Sequence, residues 1–263
     1  MVSVVVFEFS GMRCQPLRRA LAYRGSILIW HIKELKADVT ALFGREQTSA
    51  LSSSLDSIFE NYDFARYHYS EIKRLINNHM LGKKYPAEYL MLALTTDAEV
   101  LNAEIEFKLA YRANVFALLK NLHSISDFLA HVVYYSFGLN HDKSTSIECD
   151  KLNLYQVKKS LEKRKELCDI LASLETLTNH SDYKYLRDVV NHTKHRSNIL
   201  SDFTYDPNQH GEGIYQISFK PFGIHGEVSV NDYLNREYNR ENALIIELGN
   251  KLNQSVSCML TNG

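Results

Sequence analysis

From residue 48 to residue 198 apolar side chains return every three or four positions, the spacing that places them on one face of an α-helix. Residues 48–79 carry Leu51, Leu55, Ile58, Phe59, Tyr62, Ala65, Tyr69, Ile72 and Ile76 as one stripe, and Gly82 with Pro86 closes it. A second long helix is predicted from about residue 96, with Asp97 and Glu99 in its first turn. It runs through Phe107, Val115, Leu119, Leu122, Leu129 and Val133 to Gly138, with room for a kink near residues 111–114. Only 4 Pro and 11 Gly occur among 263 residues, which favours long helices over a many-stranded sandwich.

The remaining segments complete the pattern. A polar loop at residues 143–151 precedes a third helix, residues 152–177, whose charged run Lys158 to Glu166 reads as a solvated face. The break at residues 179–182 supplies the cap for a fourth helix. A polar loop at residues 206–213 follows. Tyr215, Ile217 and Phe219 then alternate with Gln216, Ser218 and Lys220, the period of a half-buried strand. After a turn at residues 221–223, Val228 and Val230 form the return strand, and Asn231 can cap a final helix with Tyr233, Leu234, Tyr238, Ile245, Leu248, Leu252 and Val256 inside. The predicted class is mainly α: an antiparallel helical bundle with a small C-terminal β-hairpin followed by a final helix. Residues 1–46 read as an N-terminal arm or extension. Residues 47–263 form the bundle domain, with the hairpin at about 213–230 and the last helix at about 231–258.

Composition narrows the function classes. Apolar residues make up 45% and charged residues 23%, ordinary for a globular chain. The 30 Lys+Arg against 31 Asp+Glu leave a net charge of -1, so contact with nucleic acid must come from a local patch rather than a coating charge. Cys14, Cys149, Cys168 and Cys258 form no CxxC pair. That excludes a zinc knuckle and suits a reducing cytoplasm, where a buried Cys serves as a small hydrophobe. Residues 2–9 lack the basic flank and cleavage site of a signal peptide and read as a short strand or extended arm, and no run reaches the 18 apolar residues of a membrane span. Four Arg without an acid lie between Gly11 and Lys33, read as a solvated basic arm, with contact to a membrane surface or organelle targeting as the alternative.

The fourth helix carries the chemistry-bearing residues. Leu186, Val189, Val190, Thr193, Ser197 and Leu200 share one face, while Arg187, Asp188, Asn191, His192, Lys194 and His195 fill the other. Arg can grip a phosphate through two N–H groups, and His exchanges a proton near neutral pH. RNA cleavage at a 2′-hydroxyl needs both. Arg187 and His192 stand about 140° apart on an ideal helix and do not touch as helix neighbours. Asp188 and His192, four apart, can hydrogen-bond and so fix the imidazole tautomer. The plain alternative is a polar helix face that meets only water.

Residues 186–192, Leu-Arg-Asp-Val-Val-Asn-His, resemble the R-x4–6-H motif of the HEPN superfamily of helical-bundle proteins, in which a polar residue such as Asp188 typically follows the Arg. Residues 116–129 resemble that superfamily's core packing helix, and the likeness covers about residues 96–200. It implies a metal-independent endoribonuclease of toxin–antitoxin or antiviral-defence type, with its site assembled across a homodimer. In that reading His192 activates the 2′-hydroxyl, Arg187 stabilises charge developing on the phosphate, and Asp188 orients one of them. Asn191, Lys194 and His195 would contact RNA, no cofactor or metal is used, and a cognate antitoxin or regulatory protein is a further partner. Antitoxin-regulated members often have Tyr two residues after the His; here that position is Lys194, so regulation through that Tyr is not expected. The alternative is a non-catalytic helical module that binds a protein or nucleotide partner through the same face.

Other groupings carry less. His123, Asp127 and His131 form a row four apart. The ends of such a row lie about 12 Å apart along one helix, too far to enclose an ion, so a packing role is expected. Tyr62, Tyr67, Tyr69, Tyr85 and Tyr89 read as core, with a partner surface as the alternative.

Overall fold

The computed structural model describes residues 30–82, 88, 94–205 and 215–262. The expectations for residues 2–9 and 11–29, for Cys14, Tyr85 and Tyr89, and for the loop at 206–213 lie outside the described residues. Among those described, the chain is mainly α. Helix α1 is Ile32–Phe43, α2 Arg45–Met80, α3 Ala98–Ser136, α4 Leu154–Leu161, α5 Cys168–Asn179, α6 Ser181–His195 and α7 Val230–Asn262. A three-stranded antiparallel sheet in the order β1-β2-β3, made of Ser201–Tyr205, Tyr215–Phe219 and Val228–Ser229, lies between α6 and α7 in sequence. No helix among the described residues is long and apolar enough to cross a membrane.

The described residues divide into two compact units, each made of separated segments. The first takes residues 30–58, 126–183 and 235–262. Leu35, Val39, Leu51, Leu55, Leu129, Val133, Val157, Leu174, Leu248 and Leu252 are buried in it. Residues 32–43, predicted as part of an arm, are therefore a helix with a buried face. The start of α2 is tied to the turn after α3 by a closed amide pair. Gln47 donates to the Tyr135 carbonyl at 2.7 Å and to Asn140 Oδ1 at 2.8 Å, and Asn140 donates back at 2.9 Å. Trp30 lies against α7, its indole N–H donating to Asn253 Oδ1 at 3.1 Å.

The predicted third helix is two helices. The chain breaks after Leu161 and resumes at Cys168 through a 3-10 turn, Lys165–Leu167. Tertiary packing overrides helix propensity here. Leu161 and Leu167 are both buried, Ser160 donates to the Thr145 carbonyl at 2.9 Å, and Lys163 donates to the Ser144 carbonyl at 2.6 Å. Part of the charged run thus closes a loop instead of only facing water. Cys149, Cys168 and Cys258 are free and exposed, not small hydrophobes of the core.

The second unit takes residues 59–125 and 184–234, less the undescribed positions. Tyr62, Ala65, Tyr69, Ile72 and Ile76 of α2 are buried as the stripe predicts, so Tyr62 and Tyr69 are core, while Tyr67 is exposed. Asp97 caps α3, accepting from the Glu99 N–H at 2.9 Å. The sheet packs through rings: Phe203 of β1 meets Tyr111 at 5.7 Å and Phe107 at 6.2 Å, and Phe219 of β2 meets Phe116 at 5.8 Å. Burial pushes the Tyr111 phenol well above its ordinary pKa.

Strand β1 was not predicted. It pairs with β2 from Ser201↔Phe219 to Tyr205↔Tyr215, so the expected hairpin is the β2–β3 half of a larger sheet. Val230, expected in the return strand, opens α7. The cap is Ser229, whose hydroxyl accepts from the Asp232 N–H at 3.5 Å, rather than Asn231.

Candidate functional site

Helix α6 presents the motif from the second unit. Leu186, Val189 and Val190 are buried and anchor the helix, leaving Arg187, Asn191, Lys194 and His195 exposed and Asp188 and His192 half-buried. The helix runs unbroken to His195, so nothing in its backbone turns Arg187 toward His192. Its apolar face ends there too: Leu200, expected on that face, is exposed, and Ile199 is buried in its place.

At the C-terminal end the chain folds back. The N–H groups of Arg196 and Ser197 both donate to the His192 carbonyl, at 2.9 and 3.2 Å. That return brings Ser197 Oγ to 3.1 Å from His192 Nε2. His192 Nε2 thus pairs with a hydroxyl five residues on, and not with Asp188 as the four-residue spacing suggested. Its Nδ1 has no partner among the described residues and is not buried.

Asp188 uses its two oxygens elsewhere. Oδ1 accepts from Arg187 Nε at 3.0 Å and Nη2 at 2.9 Å, and Oδ2 lies 2.9 Å from His225 Nε2. Burial works to raise the Asp188 carboxyl. The hydrogen bonds from His225 and Arg187, with their charges, outweigh it and hold the group below the ordinary carboxylate range. Asp188 is therefore an anion, and His225 donates to it through Nε2–H.

His225 comes from the turn between β2 and β3. Phe222 and His225 pair across it, with the Phe222 N–H donating to the His225 carbonyl at 3.1 Å and the reverse bond at 2.9 Å. Gly223 takes φ +56, the left-handed conformation that tight hairpins require and side chains disfavour. Phe222 then contacts two imidazoles, its ring 5.0 Å from that of His225 and 5.4 Å from that of His192. Tyr185 floors the site, in ring contact with His225 at 5.0 Å, Phe222 at 5.6 Å and Tyr233 at 4.7 Å. Its buried hydroxyl has no partner among the described residues, and burial pushes its pKa up.

Sequence reasoning reached Arg187, Asp188, Asn191, His192, Lys194 and His195 but missed Tyr185, Ser197, Phe222 and His225. Gly223 and the flanking strand alternation marked a turn, and that was the only signal for His225. The surface carries an exposed guanidinium, two imidazoles and a fixed carboxylate.

Other titratable groups are engaged differently. His131 Nε2 meets the Leu152 carbonyl at 3.2 Å, a packing contact rather than a ligand position. Among the described residues one group has metal-ligand spacing: His180, Asp182 and Glu237, with ligand atoms within 4.8 Å. Cations already occupy its carboxylates. Asp182 takes Arg236 Nε and Nη2 at 2.7 and 2.9 Å, and Glu237 takes Arg240 Nε and Nη2 at 2.6 and 2.7 Å. No family model, curated protein or solved structure matches the chain.

Proposed function

We propose that this protein is a metal-independent endoribonuclease of HEPN type, cutting at the surface where α6 meets the Phe222–His225 turn. One observation carries the reading: that turn touches Asp188, and through it Arg187, on one side and His192 on the other. Two groups on divergent faces of one helix thereby belong to one surface. His192 accepts the 2′-hydroxyl proton, and the oxygen attacks the adjacent phosphorus. Arg187, with Nη1 unpartnered among the described residues, stabilises the charge that builds on the phosphoryl oxygens. The products are a 2′,3′-cyclic phosphate and a 5′-hydroxyl. Exposed Asn191, Lys194 and His195 line the approach for the RNA backbone.

The reading includes a cytoplasmic location, a homodimer that sets two such surfaces in one assembly, and an antitoxin or other regulatory partner for a toxin or antiviral-defence role. The test is cleavage of mixed RNA in EDTA by wild-type and His192→Ala protein. The expected result is metal-independent cutting that leaves cyclic-phosphate ends and falls about 10²- to 10⁴-fold in the variant. Folded wild-type protein that binds RNA or a nucleotide without cutting would favour the non-catalytic binding module instead.

A further inference from the structure

Cleavage at a 2′-hydroxyl needs a second proton transfer: the P–O5′ bond breaks as the O2′–P bond forms, and the departing 5′-oxygen must be protonated. We propose that His225, steadied through Nε2 by Asp188, is the general acid that delivers this proton from Nδ1. The inference rests on the ribonuclease reading and adds a catalytic residue that lies outside the Arg–His motif.

Three features of the site support the assignment. The carboxylate–imidazole bond of 2.9 Å fixes the ring's orientation and leaves Nδ1 as the atom that gains or loses a proton. Nδ1 has no partner among the described residues and is not buried, although the side chain as a whole is only 17% exposed. The ring sits against the same Phe222 that His192 touches, so one phosphodiester can lie within reach of both imidazoles. The bookkeeping balances. His192 gains the 2′ proton, His225 imidazolium gives its Nδ1 proton to O5′, and water restores both rings afterward. Nothing is oxidised or reduced. Arg187 and His225 share Asp188, so the carboxylate holds the phosphate-binding group and the acid in fixed relation.

Sulfur at the 5′ bridging position separates this role from a structural one, because a thiolate leaves without a proton. Short single-stranded RNAs with 5′-oxygen or 5′-sulfur at one linkage would be cut by wild type, His192→Ala, His225→Ala, His225→Asn and Asp188→Asn. His225→Ala and His225→Asn are expected to lose about 10²- to 10⁴-fold on the oxygen substrate and to return to within about tenfold of wild type on the sulfur substrate. Asp188→Asn should follow the same pattern more weakly, and His192→Ala should fall on both. Equal loss on both substrates by His225 variants with wild-type melting would make His225 a structural residue and overturn the proposal. Wild-type rates on the oxygen substrate in His225→Ala would also overturn it, while loss in His192→Ala would leave the ribonuclease reading standing. Wild-type protein that cuts neither substrate ends both.

Discussion

Gly249 of α7 lies where a single methyl group reverses an ordinary rule. Alanine normally stabilises a helix interior by about 1 kcal/mol over glycine. A Cβ at 249, however, would stand 2.2 Å from Cδ2 and 2.4 Å from Cε2 of Trp30. The indole is 7% exposed and bonded to Asn253, so moving it costs both packing and a hydrogen bond. Overpacking of this kind costs about 1–3 kcal/mol and outweighs the propensity gain. Gly249→Ala is expected to lower Tm, and Trp30, the only tryptophan in the chain, reports the change by fluorescence. Unchanged melting and emission would mean the indole has another seat. The chain shows the glycine but not its reason, which needs residue 30 and residue 249 in the same place.

At the level of elements, α6 and α7 each carry a carboxylate, and the two respond oppositely to pH. Asp182, at the start of α6, is held below its ordinary range by the Arg236 hydrogen bonds, against burial. Its contribution to stability is present above that range and is lost as pH falls through its folded pKa. Glu241 is fully buried with both oxygens unpartnered among the described residues, and burial, with the charge of Glu237, raises its carboxyl well above 4.5. The folded state then binds more protons than the unfolded state, so stability falls as pH climbs above that value. Melting from about pH 3 to about pH 8 should show Asp182→Asn flattening the acid limb and Glu241→Gln flattening the alkaline one. An unaltered alkaline limb in Glu241→Gln would place the titration elsewhere. The burial stripes of α2, α3 and α7 were legible because one apolar face repeats over many turns. The α4–α5 break was not, since residues 162–166 hold neither the Gly nor the Pro that would mark it. Strand β1 escaped because five residues bordering a helix give too short a period to read, and its partner lies across an intervening segment.

For the whole molecule, a net charge of -1 limits how the proposed ribonuclease would hold RNA. Exposed cations near the site, Lys184, Arg187, Lys194 and Arg196, provide about two to four phosphate contacts. Single-stranded RNA binding by His192→Ala should therefore weaken with salt at a log–log slope of about -1 to -3. A much steeper slope in fluorescence anisotropy would require a broader basic surface than α6 supplies. The motif half of the site was legible because its residues share one helix. The other half was not, because no periodicity links Asp188 to a histidine 37 positions later.

That separation also orders events in time. At about 5–20 residues per second of synthesis, His225 is made roughly two to seven seconds after Asp188. On the proposed mechanism, a nascent chain in that interval has the arginine, the carboxylate and the first imidazole but no acid for the leaving group. By the same mechanism, cutting of the message being read would stay about 10²- to 10⁴-fold below its full rate until the β2–β3 turn has emerged and paired.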